Sequence, residues 1–196
     1  MLYGNEIQDI NILEKTNFKE LKSISFSYNK ISDLKVFEKV NYPKLESLSL
    51  RDCGITDIKV FEKVNFKKLN YLNLSDNQIS DINVMEKVKF EELTNLNLEE
   101  NNISDIQVLE KVKFPKLRML NFDSNKIKDI EVFGNVKFHK LDGLDLRNNK
   151  ISNIDVFENA KLESLDCLDL CNNKIDKSKY LSLINKMKSK IRQVMI

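Results

Sequence analysis

The sequence predicts a right-handed α/β solenoid, with a concave parallel sheet on one side and short helices on the convex side. Two observations carry that expectation. Leucine recurs at positions 21, 45, 69, 93, 117, 141 and 165, a strict 24-residue period. Each of these leucines opens a run of the form L-x-x-L-x-L or a close variant, so one structural unit is copied along almost the whole chain.

The strand comes first in each unit. The last two apolar positions of L-x-x-L-x-L alternate with polar ones, which puts them on one side of a short strand and the intervening side chains on the other. Stacked coils then give a parallel sheet with strands about 4.8 Å apart. An asparagine column follows where the chain leaves the strand: Asn29, Asn77, Asn101, Asn125, Asn149 and Asn173. A buried amide there can satisfy backbone groups of its own turn and of adjacent turns. Cys53 takes this position once.

After the turn, Asp33, Asp57, Asp81, Asp105 and Asp129 precede an Ile/Val/Phe/Val spacing. They stand where a capping side chain accepts free amides at the start of a short helix. One carboxylate per unit at the structural period favours capping over a cation-binding ladder. Phe66, Phe90, Phe114 and Phe138, with Tyr42 and Leu162 as variants, recur at the same period and read as core.

Written out from Leu69, a unit is LNYLNLSDNQISDINVMEKVKFEE. This pattern resembles the leucine-rich repeat. Its N-x-I-S-D-I half is similar to the subclass found in internalins and SDS22-type phosphatase regulators, although V-F-E-K-V-x-F stands where that subclass carries leucines and a proline. The resemblance implies a binding module.

Residues 1–20 read as a partial N-terminal repeat, 21–176 as full repeats, and 177–196 as a C-terminal capping helix and tail. Residues 2–20 match the later two-thirds of a unit, which puts Met1 inside a first strand and leaves Ile7, Ile10 and Leu13 as expected apolar surface. Tyr180, Leu181, Ile184, Met187 and Ile191, at three- and four-residue spacing, predict an amphipathic helix over 178–192 that covers the last coil. Its lysines leave a partner-binding or membrane-surface helix as the alternative.

Little in the chain points to catalysis. His139, the one histidine, lies in a loop before a strand, and the four glycines form no phosphate-binding loop. Cys167 and Cys171 are four apart without a histidine nearby, and Asp166 and Asp169 beside them oppose a reactive thiolate. The expectation is therefore a non-enzyme with no cofactor and no metal. Three cysteines form no disulfide framework, the start MLYGNEIQDI is unlike a secretion signal, and no run reaches the roughly 18 apolar residues of a membrane span. These features predict a cytoplasmic chain without a membrane span.

Function is sought where the repeats disagree, on the exposed positions of the strand face. Glu46, Asp52, Asp76, Glu99, Glu100, Asp123, Asp142, Asp145, Asp166 and Asp169 fall there, against Lys22, Arg51, Arg118 and Arg147. The whole chain carries a net charge of +2, so charge is segregated between faces. LDGLDLRNN followed by LDCLDLCNN sets Asp142 beside Asp166 and Asp145 beside Asp169, with Arg147 available to screen them and Gly143 leaving open space between.

The candidate partner-binding residues are Tyr71, Glu99, Glu100, Met119, Asp123, Asp142, Asp145, Asp166 and Asp169, with Tyr28 at the edge. Tyr71 and Met119 are the apolar anchors. The expected partner is a basic protein; a small-molecule substrate is not expected and nucleic acid is disfavoured. The alternative is a nucleic-acid or anionic-surface binder that uses Lys89, Lys113, Lys137 and Lys161, assisted by Lys44, Lys68, Lys116 and Lys140. A structural repeat segment of a larger protein is the third possibility.

Overall fold

The computed structural model describes residues 4–196. Strands β1 (Ser23–Ser25), β2 (Ser47–Ser49), β3 (Tyr71–Asn73), β4 (Asn95–Asn97), β5 (Met119–Asn121), β6 (Gly143–Asp145) and β7 (Cys167–Asp169) are followed by helix α1 (Leu181–Lys190) and strand β8 (Gln193–Met195). These strands of the described chain form one parallel sheet in sequence order. Leu48, Leu72, Leu96, Leu120 and Leu144 face one another in register, each one repeat beyond the last. These leucines are buried, with Leu50, Leu74, Leu98 and Leu146 beside them in a second column.

Between strands the chain makes a single turn of 3-10 helix, such as Lys59–Glu62 and Gln107–Glu110. The β-branched Val and Ile around it disfavour a longer helix, and a coil that must return to the next strand within one repeat leaves no room for one. Asp33, Asp57, Asp81, Asp105 and Asp129 each accept the backbone N–H two residues on, at 2.8–2.9 Å. Asp9 does the same in the first described coil and Asn153 in a later one. Phe66, Phe90, Phe114, Phe138 and Tyr42 are buried, and Leu162 is half-buried.

The asparagines bind the stack together along its length. Asn77 donates to the carbonyls of Leu50, Leu74 and Ser75 and accepts the N–H groups of Cys53 and Ile55. Asn101, Asn125, Asn149 and Asn173 repeat the pattern, each accepting from the isoleucine at the matching place in the coil before. One residue before this column the backbone is left-handed at Tyr28, Asp52, Asp76, Glu100, Ser124, Asn148 and Asn172, with φ between 50° and 60°. None is β-branched, as the crowding of that conformation demands.

On the helical side, lysines reach back one coil to glutamates: Lys39 to Glu14, Lys63 to Glu38, Lys87 to Glu62 and Lys111 to Glu86, at 2.9–3.6 Å. The ladder ends where Gly134 and Asn135 replace the next Glu-Lys pair.

The two ends depart from expectation. Ile10 and Leu13 are buried and Ile7 is partly buried, because the first described coil turns its core columns onto the next one. The exposed apolar residues there are instead Ile12 and Phe18, which hold the places of the buried Val36 and Tyr42 one coil on. Phe18 stacks on Tyr42 with ring centroids 6.3 Å apart, so only its inner side is covered. The expected placement of Met1 in a strand lies outside the described residues. At the other end α1 covers the last coil through Tyr180, Ile184 and Met187, while Leu181 stays exposed. The residues expected as a tail form β8, with Leu168 opposite Val194 where an unbroken period would set Arg192. I-R-Q-V-M-I restates L-x-x-L-x-L, and the longer helix before it shifts it out of the 24-residue phase.

Candidate functional site

The exposed face of the sheet is built from the side chains that alternate with the buried leucines. On β3, β4 and β5 the in-register residues Tyr71, Asn95 and Met119 form one row, with Asn73, Asn97 and Asn121 in the next. Tyr71 is 37% exposed and Met119 is 46% exposed, the largest apolar surfaces on these strands. Glu99 and Glu100 follow β4 after the buried Leu98 and so lie past the end of the strand whose neighbours carry those two anchors.

The space expected above Gly143 is not open. A Cβ built there meets the Met119 sulfur and methyl at 2.6 Å, so Met119 lies across the glycine and leaves it buried. A long flexible thioether fills whatever gap its neighbour leaves.

The carboxylates are distributed less uniformly than their columns suggest. Arg147 lies 2.9 Å from Asp123, 2.9 Å from Asp145 and 3.5 Å from Asp169. Asp123 and Asp169 are buried, and Asp123 also accepts from Ser124 and Asn148. Desolvation raises the pKa of Asp145, with hydrogen bonds from Arg147 opposing it. Asp142 pairs with Arg118, Asp166 with Arg192 at 2.7 Å, Asp76 with Arg51 at 2.8 Å, and Glu46 with Lys22 at 3.6 Å.

Among the described residues, Asp52, Glu99 and Glu100 are the carboxylates of this face that form no ion pair. Glu99 accepts a hydrogen bond from the neutral Asn121 amide at 3.2 Å, which leaves its charge in place. The neighbouring Asp76 carboxylate, then burial and the Glu99 charge, raise the pKa of Glu100, with the Arg51 charge opposing them. Negative charge without an ion-pair partner is thus left at Asp52, Glu99 and Glu100, while the single guanidinium of Arg147, shared by Asp123, Asp145 and Asp169, leaves that cluster net negative as well. The sequence did not expose this, because Arg192 reaches Asp166 only once β8 is in place. Its signal was present: Arg192 occupies the same place in I-R-Q-V-M-I that Arg118 holds in L-R-M-L-N-F.

Other chemistry-bearing groups do not converge. Burial, then the nearby aspartates, raises the pKa of Cys167; burial and Asp169 raise that of Cys171. Cys53 is pushed up to about 11, chiefly by burial. All three shifts run against thiolate formation. Among the described residues no group of three or more His, Cys, Asp and Glu side chains is arranged to hold a metal ion, and no helix is long and apolar enough to cross a membrane.

A 24-residue coil with a parallel sheet, stacked leucines and inter-coil asparagine rungs is the architecture of a leucine-rich-repeat solenoid, and the chain has that fold. A family pattern described as leucine-rich repeats in two copies matches residues 43–87 and 91–135. Within that class the chain resembles the internalins. It superposes on an internalin, inlF, from Listeria monocytogenes str. 4b F2365 with a TM-score of 0.75 and 29% identity, covering 97% of this chain and 52% of that one. Internalin C2 (inlC2) from the same strain gives 0.69 and 25% identity, over 83% of this chain and 66% of that one. The chain thus spans about half the length of inlF. The plant peptide hormone receptor RGFR1, solved in complex with RGF2, shares the fold at 0.63 and 21% identity, covering 91% of this chain and 28% of that receptor. No curated protein matches by sequence.

Proposed function

We propose that the chain is a protein-binding module whose concave sheet docks a basic protein partner around Tyr71 and Met119. The observation that carries this reading is the coincidence of two exposed apolar side chains with the carboxylates Glu99 and Glu100, which lack a counter-ion, on adjacent coils of one sheet. An aromatic ring and a thioether supply desolvated contact area, while charges at the rim govern encounter and orientation. Asp142 and Asp166 contribute less here, since each faces an arginine of its own, whereas Asp145 and Asp169 share Arg147 with Asp123 and keep part of their charge. Asp123 and Asp169 act as supports for the sheet surface, because both are buried around Arg147.

The test uses partners recovered on the intact chain and measured by association and dissociation rates. Glu99→Lys with Glu100→Lys is expected to slow association, more at low salt than at high salt. Tyr71→Ala and Met119→Ala are expected to speed dissociation. Partners that bind all three variants as the parent does would place docking elsewhere.

A further inference from the structure

The lysines on the loop edge before the strands differ from the other lysines of the coil in what they face. Lys39, Lys63, Lys87 and Lys111 each reach a glutamate one coil back, and Lys44 and Lys116 reach Glu20 and Glu92 in the same way. Lys89, Lys113, Lys137 and Lys161 recur at the 24-residue period two positions beyond the first set. All four are exposed, and among the described residues none forms an ion pair or a side-chain hydrogen bond. The same position in the three preceding units is Asn17, Asn41 and Asn65, so the column changes from neutral amide to lysine midway along the chain.

Four like charges on successive coils repel one another, and the neighbouring loop positions offer little relief. Beside Lys113 stand Pro115 and Lys116, the latter paired with Glu92, and beside Lys137 stand His139 and Lys140; Glu91 and Glu163 flank the ends of the column. A linear polyanion laid along the solenoid axis meets one lysine per coil and releases its condensed counterions, as phosphate backbones do on basic surfaces.

The column carries no aromatic side chain on which bases stack and no arginine for bidentate phosphate contact. From Lys89 to Lys161 the described residues of this edge also present no exposed large apolar side chain to enter a bilayer. We propose that this edge binds a sulfated polysaccharide, recognised by regularly spaced charge alone, with Lys113 and Lys137 at the centre of the site. This site is separate from the concave docking surface and does not depend on it.

The experiment measures a fluorescent heparin dodecasaccharide binding to the intact chain across a salt series. Lys113→Glu with Lys137→Glu is expected to weaken binding at least tenfold. Lys113→Gln with Lys137→Gln is expected to make the plot of log affinity against log salt shallower by about two, one per lysine removed. Lys126→Glu with Lys150→Glu places the same charge change on exposed lysines of the other edge that form no ion pair, and is expected to leave affinity within about twofold. Circular dichroism establishes the fold of each variant, and the glutamine pair stands in if the glutamate pair misfolds. Absence of heparin binding at low salt, or equal loss from both glutamate pairs, overturns the proposal. So does tighter binding of single-stranded RNA, polyglutamate or phosphatidylserine vesicles to the same lysines.

Discussion

Replacing Cys53 by asparagine is expected to stabilise the protein, and the structure gives the reason bond by bond. Asparagine rungs accept the isoleucine N–H of the preceding coil from Ile7, Ile55, Ile79, Ile103, Ile127 and Ile151. The missing member of that series is Ile31, whose partner position is Cys53. The thiol is buried and imitates part of the amide: its sulfur faces the carbonyls of Phe26 at 3.3 Å and Arg51 at 3.4 Å. One S–H can serve only one of them, and a thiol offers no amide oxygen to Ile31. The exchange adds one well-formed buried hydrogen bond, a net gain of about 1 kcal/mol. For a chain of this length that corresponds to a rise of roughly 2–4 °C in Tm. The reciprocal change, Asn101→Cys, removes the acceptor of Ile79 and donors to Leu74, Leu98 and Glu99, and is expected to cost about 1–3 kcal/mol. Thermal and denaturant unfolding give the global effect, and hydrogen exchange at the Ile31 amide reads the rung itself. If that amide exchanges as fast in Cys53→Asn as in the parent, the rung has not formed and the reasoning fails.

Arg147→Met leaves Asp123, Asp145 and Asp169 facing one another without a counter-charge, and is expected to cost about 3–5 kcal/mol at pH 7. Burial raises the pKa of Asp145 and Arg147 opposes it, so without the arginine Asp145 binds its proton more tightly folded than unfolded and the variant's stability falls as pH rises through its range. Its deficit should therefore be smaller at pH 4 than at pH 7 in parallel urea titrations; a constant deficit would assign the loss to packing. Asp145→Lys with Asp169→Lys sets lysines against Arg147, one of them at a buried position, so it should lower stability as well as any binding. Leu96→Ala empties a site between Leu72 and Leu120 and should cost about 2–5 kcal/mol, against about ±0.5 for Glu99→Ala; equal effects would mean the strand faces are misassigned. Gly143→Ala drives the Met119 side chain off the strand at a cost below about 1.5 kcal/mol, and peroxide should then oxidise Met119 faster. An unchanged oxidation rate would show that Met119 does not rest on Gly143.

The repeat period by itself determined the fold. Seven leucines in one frame fix which side chains face inward, and inter-coil rungs place an asparagine at every turn of the column but that of Cys53, so both are written as columns. The capping aspartates and the phenylalanine core were legible for the same reason: each is a contact between residues of one coil or of equivalent places in adjacent coils. The tertiary structure decided what breaks that period. Helix α1 lengthens the last coil, so β8 and its Arg192 fall out of phase and the partner of Asp166 is invisible to a 24-residue reading. Whether an aspartate on the strand face carries free charge likewise depends on how far an arginine bends, and Arg147 bends toward three of them. Side-chain reach has no period, which is why the columns located the face while only the folded chain showed where its charge is left without a counter-ion.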